Sequence, residues 1–171
     1  GRSATATPAE AGCRKRCRIR RRGLGRPPVS RPGTGSALLV ALTTLAAGAL
    51  ILAFPLGRDA GVFAYDATEL LAGRTPYLDF VDQKPPAIVF LYAVPVGLFG
   101  RSMAGIHFFE LIWTAATALL ACLIARRLSG AAAGVLAGLG AAFLFSPAVC
   151  DFWHRAQVET FLSLLYAAGV L

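Results

Sequence analysis

Charge is scarce in this chain. Asp, Glu, Lys and Arg make up 15% of its 171 residues, and 56% are hydrophobic. A soluble domain carries roughly a quarter charged residues. An ordinary soluble fold is therefore excluded, and the long apolar runs point to an integral membrane protein. Histidine is nearly absent, with two in the chain, and the four cysteines do not form a framework. Cys13 and Cys17 make a C-x3-C pair without the second pair or the histidines that a zinc site requires. Cys122 sits inside an apolar run, where it packs as a small hydrophobe, and Cys150 closes another. Neither a disulfide scaffold nor a metal centre is predicted from them.

Positive charge is abundant only at the start. Ten of the seventeen Lys and Arg precede Ser36, and the remaining 136 residues are nearly neutral. No aromatic residue lies in that basic stretch, so it lacks the stacking platform of a single-stranded nucleic-acid binder. Abutting an apolar run, residues 1–35 read as a disordered cytoplasmic tail that obeys the positive-inside rule and touches membrane lipids, with no nucleic-acid partner.

Residues 36–56 are uncharged and long enough to span. No A-x-A site follows them, which favours a first transmembrane helix over a cleaved signal peptide. Residues 57–101 form an outer loop that holds five of the nine acids within Gly57–Lys84. Asp59, Asp66 and Glu69 fall within about 80° of one another on a helical wheel, which predicts a short amphipathic helix in the outer interface. Asp66 and Glu69 read as its solvated face. Residues 102–125 and 128–150 predict the second and third transmembrane helices, separated by Arg126 and Arg127. Residues 151–159 would then be a second outer loop, and residues 160–171 the start of a truncated fourth helix.

The stretch "VDQKPPAIVFLYAVPVGLFG" decides the topology. Its apolar part, Pro86–Phe99, has 14 residues, a helical rise of about 21 Å against roughly 30 Å of hydrocarbon. Too short to cross, it predicts a re-entrant or interfacial segment, and Arg126 and Arg127 then fall on the cytoplasmic side. The expected fold is an all-α integral membrane protein: a polytopic helix bundle with an amphipathic, partly re-entrant first outer loop. Three polar clusters, around Asp59, Lys84 and Glu159, would share the outer surface.

Three motifs in order, "GRDAGVFAYDATELLAGRTPYLDFVDQKPP", "ARRLSG" and "AQVE", resemble the N-terminal part of a GT-C glycosyltransferase, in the branch of the protein mannosyltransferases and lipid A aminoarabinose transferases. The resemblance covers Ser36–Leu171. It implies a multi-pass enzyme of the inner (plasma) membrane that transfers a sugar from a polyprenyl-phosphate donor to an acceptor outside the cytoplasm. Asp59 matches the acid that serves as catalytic base; its plain alternative is a helix cap. Lys84 matches the lysine before two prolines, a cation for the lipid phosphate, with a snorkelling interfacial lysine as the alternative. Glu159 matches the acid of the second outer loop, and is equally an acid favoured by a helix N-terminus. Arg74, Arg101 and Arg155 are further candidates for the phosphate. Tyr65, Tyr77, Trp153 and His154 fit a sugar-lining surface or an interfacial belt. Asp79 and Asp82 could tune the lysine or hold a divalent ion, the one possible cofactor. His107 and Glu110, three apart, are expected to face one cavity. The chain departs from the pattern in having Ala60 after Asp59, and in stopping at Leu171 within an apolar run, which reads as a fragment of a longer enzyme. A different class, a non-catalytic membrane subunit or transporter fragment with Lys84 and Glu159 as a buried ion pair, fits the same residues.

Overall fold

A computed structural model describes residues 34–149, 151 and 155–171. All regular structure among them is helical: α1 (Thr34–Gly48, continued by a 3-10 turn over Ala49–Ala53), α2 (Arg58–Leu71), α3 (Ala87–Phe99), α4 (Met103–Ser129), α5 (Ala131–Leu144) and α6 (Val158–Val170). The β pairing is limited to an isolated bridge between Pro76 and Phe80. The basic tail up to residue 33, Cys150, and Phe152 to His154 lie outside the described residues, so the readings made of them stay at the level of sequence.

Among the described residues, two helices are long and apolar enough to cross a membrane: Thr34–Ala53, with 20 residues, and α4, with 27. α4 begins where Ser102 Oγ accepts the Gly105 N–H at 3.2 Å, an N-cap that satisfies one of the free donors of the first turn. It runs four residues beyond the expected end at Ala125. Arg126 and Arg127 are good helix formers, and their charge suits the negative C-terminal end. Only Gly130, at φ 94°, stops it. α5 is shorter than the 128–150 segment expected, with 14 residues, and the chain turns through 145–149. Pro147 has no N–H to continue the helix, and Ser146 Oγ donates to the Phe143 carbonyl at 2.7 Å.

α4 is the axis of the bundle and packs against α1, α3, α5 and α6. Arg126 Nη1 donates to Ser36 Oγ at 3.0 Å, while Gly48 at the other end of α1 meets Leu111, so α1 and α4 are antiparallel. Thr117 lies 3.4 Å from Ser163, and Arg127 Nη1 reaches the Leu171 carbonyl at 2.9 Å, so α6 runs parallel to α4. Residues 54–57, 145–149 and 155–157 consequently lie at one end of the bundle, and Ser36, Arg126 and Arg127 at the other.

Glycine sets the spacing of α4 and α5. A Cβ at Gly138 would stand 2.8 Å from Val40 Cγ2 and 3.0 Å from Cys122 Cβ, and one at Gly134 2.8 Å from the Cys122 carbonyl. This is the close approach that a small-xxx-small pattern permits. Cys122 is buried there with Val40 and Ala118, as a small hydrophobe. A second, larger core lies at the loop end. Phe63 meets Tyr92 edge to face at 5.5 Å, Tyr92 meets Phe161 at 5.8 Å, and Phe161 meets Trp113 at 5.5 Å. This aromatic chain joins α2, α3, α6 and α4.

Candidate active site

α2 begins at Arg58, with Gly57 as its N-cap and no side chain capping it. Asp59 therefore stands in the first turn and is not the cap. Its carboxylate is favoured there by the positive end of the helix. Among the described residues it makes no hydrogen bond or ion pair. Helical spacing puts Val62 and Phe63 beside it, and Phe63 is locked by Tyr92 beneath.

The chain after α2 folds back over this turn. Gly73, at φ 85°, lets it leave the helix, and Thr75 N–H donates to Asp79 Oδ2 at 2.7 Å. Asp82 Oδ1 accepts the Lys84 N–H at 3.1 Å, and the Tyr77 hydroxyl donates to the Lys84 carbonyl at 2.8 Å. Pro85 and Pro86 follow and stiffen the exit into α3. The result is a pocket of about 290 Å³ lined by Arg58, Asp59, Val62 and Phe63 on one side and by Val81, Asp82, Gln83 and Lys84 on the other. The Lys84 ammonium, like the Asp59 carboxylate, has no partner among the described residues. A carboxylate without a partner among the described residues, Asp59, and two cations, Lys84 and Arg58, thus line one small cleft. Arg58 was missed by the sequence reading, although its position next to Asp59 in a helix's first turn was the available signal.

The remaining candidates divide. Glu159 is exposed in the first turn of α6 and does not line the pocket. Its neighbour Val158 faces Pro85 across an apolar groove of about 100 Å³ between α3 and α6, so it stands near the same mouth. Lys84 and Glu159 form no ion pair. Tyr65 is 53% exposed, in a separate hollow with Arg101 and Ile106. Arg101 Nε donates to Thr68 Oγ1, and Arg74 pairs with Glu69.

Two expectations need correction. Asp66 and Glu69 are not a solvated face: they are 3% and 8% exposed, covered by the returning loop. The Asp66 and Asp82 carboxyls sit against one another, a contact that is a hydrogen bond only when one of them holds a proton. Burial, then the charge and hydrogen bond of Asp82, then the charge of Glu69 push the Asp66 carboxyl above its ordinary value of 3.8. Arg155 is likewise no pocket residue. It is 2% exposed, with Nη1 donating to the Phe145 carbonyl at 2.6 Å and lying 3.7 Å from Glu110 Oε1.

Arg155 belongs instead to a buried knot on α4. His107 Nδ1 lies 3.0 Å from Glu110 Oε2, and Glu110 Oε1 accepts the Ala156 N–H at 3.0 Å. The Ala156 carbonyl accepts the Tyr92 hydroxyl at 2.5 Å. These bonds hold Ala156 at φ 52° and so fix the entry to α6. His107 and Glu110 do face one another, but within the core and away from the pocket.

Among the described residues, no group of three or more His, Cys, Asp or Glu side chains is arranged to hold a metal ion. Asp79 Oδ2 and Asp82 Oδ1 both accept backbone N–H groups of their own loop. No family model, curated protein or solved structure matches the chain.

Proposed function

We propose that the chain is a membrane glycosyltransferase, or the portion of one that carries its base, acting at the extracytoplasmic face on a polyprenyl-phosphate-linked sugar. The carrying observation is the cleft itself: Asp59 and Lys84, both without a partner among the described residues, line one pocket with Arg58. In this reading Asp59 takes the proton of an acceptor hydroxyl as its oxygen bonds to the anomeric carbon. The bond from that carbon to the phosphate oxygen breaks, and the polyprenyl phosphate leaves with its growing charge held by Lys84 and Arg58. The apolar groove beginning at Pro85 gives the lipid chain a path away from the cleft.

The membrane topology belongs to the same proposal. With the basic tail inside, α1 ends outside and α4 returns Arg126 and Arg127 to the cytoplasm, as the positive-inside rule requires, while α5, too short at 14 residues to span unaided, runs back along α4 toward the outer face. The shared end of residues 54–57, 145–149 and 155–157 supports this arrangement.

Binding separates the roles of the two residues. In lipid nanodiscs, a short-chain polyprenyl phosphate should bind Lys84→Met about tenfold or more weakly than the parent, the scale of a lost charge-assisted hydrogen bond. Asp59→Asn should leave binding intact or tighten it, since a negative charge beside the phosphate is removed. With polyprenyl-phosphate mannose as a probe donor, the same Asp59→Asn should lower transfer by about 10²–10⁴, the usual contribution of a general base. Equal binding by Lys84→Met and the parent would overturn the reading.

A further inference from the structure

Tyr77 occupies a conformation that favours glycine. Its φ is 67°, in the left-handed region that a bulky L-residue disfavours. Among the described residues, two non-glycine residues have positive φ, Tyr77 and Ala156. Such strain persists where surrounding bonds over-determine it, and it clusters at functional sites. At Tyr77 the ring is not held by burial, since the residue is 49% exposed. What it supplies is hydrogen bonds. Its N–H donates to the Phe80 carbonyl at 2.7 Å and its hydroxyl to the Lys84 carbonyl at 2.8 Å.

The second bond matters because of where it lands. Lys84 is held by its own backbone from both sides, the N–H by Asp82 Oδ1 and the carbonyl by Tyr77. The ammonium itself has no partner among the described residues, so these two bonds and the proline pair set where it stands. Glycine would relieve the backbone at position 77, but only a residue with a long, rigid, hydroxyl-tipped side chain spans the seven positions to Lys84.

We infer that Tyr77 is a positioning residue which, by donating its hydroxyl to the Lys84 carbonyl, holds the Lys84 ammonium at the mouth of the Asp59 pocket. The functional consequence rests on the role given to Lys84 above; the placement itself does not.

The test uses a convenience of the sequence: Lys84 and Lys15 are the only lysines. In nanodiscs, the rate of Lys84 acylation by a water-soluble N-hydroxysuccinimide acetate is read by peptide mass spectrometry, with Lys15 as internal reference. Tyr77→Phe, which removes only the hydroxyl, should raise the Lys84 rate about threefold or more and leave Lys15 unchanged, the scale of one lost hydrogen bond. Tyr77→Gly should raise it equally without lowering the melting temperature, an outcome a purely structural tyrosine would not give. Binding of the short-chain polyprenyl phosphate should fall about 3- to 10-fold in Tyr77→Phe, and should not fall further when Tyr77→Phe is added to Lys84→Met. Unchanged Lys84 acylation in both Tyr77 variants would overturn the inference, as would an additive loss in the double variant. If acylation rises but Lys84→Met binds the lipid phosphate like the parent, the positioning stands and the role of Lys84 falls.

Discussion

Asp66 is the residue whose surroundings make the clearest demand. Its carboxyl lies under the returning loop against Asp82, with Glu69 nearby, and every one of these effects favours the protonated form. A folded-state value above the unfolded one means that the stabilisation is complete below about pH 3.8 and is lost as pH rises through the folded value. Asp66→Asn, which stays neutral, should therefore melt a few degrees above the parent near neutral pH, with the difference fading as the pH is lowered toward about 4. A melting series across that range, with parent and variant side by side, checks both the sign and the window. A constant offset at every pH would mean that folding does not shift the titration of Asp66. The same residue marks a limit of reading from sequence. The wheel groups Asp59, Asp66 and Glu69 on one arc of α2, and periodicity alone makes such an arc a wet face. It is covered by residues from the next loop, Asp82 above all, and nothing in the spacing of α2 announces that cover. Asp59 and Lys84, by contrast, were legible: a carboxylate in a helix's first turn and a lysine before two prolines keep their character whatever packs around them.

Helix pairs carry the next set of consequences. Glu110 is the centre of a knot that joins α4 to the entry of α6 through Arg155 and Ala156. Removing one partner from a buried ionic cluster leaves the other charge uncompensated, at a cost of about 3–5 kcal/mol. Glu110→Ala should lose about that much stability, read as fraction folded against a denaturant in mild detergent. Glu110→Ala with Arg155→Met should recover much of it, because the orphaned guanidinium is then gone too. Full additivity of the two losses would mean that the pair does not interact. Sequence separation hid this knot: Glu110 and Arg155 are 45 positions apart, and Glu110 read only as facing one cavity with His107, Arg155 only as a candidate for the phosphate. The glycines of α5, Gly134 and Gly138, can be read from the sequence for the opposite reason, since small residues at four-residue spacing have one common use, close helix packing. At Gly138, a valine would drive methyl groups into Val40 and Cys122, and overpacking of this kind costs about 1–3 kcal/mol. Gly140, which a Cβ would leave in open space, is the matched control. The early end of α5 was also readable, in Ser146 and Pro147, but the apolar run through them outweighed the proline.

For the whole molecule, two helices of membrane-crossing length and regular structure that is helical throughout, both among the described residues, agree with the expected class. The order of the helices gathers the turn before α2 and the loop before α6 at the end opposite Arg126 and Arg127. The exposed leucines along α1, including Leu38, Leu39, Leu42 and Leu50, leave that helix an apolar outer face suited to hydrocarbon or to further protein. The proposal makes the Asp59–Lys84 pocket the meeting point of this topology: outside the membrane, beside an apolar groove, and built to receive a lipid phosphate. Lys84 acylation in right-side-out vesicles, with and without a short-chain polyprenyl phosphate, tests all three properties together. The expected result is that a membrane-impermeant reagent modifies Lys84 in sealed vesicles, that the lipid phosphate protects it, and that Lys15 reacts only after permeabilisation. Lys84 that reacts only in opened vesicles, or that the lipid phosphate leaves unprotected, would contradict it.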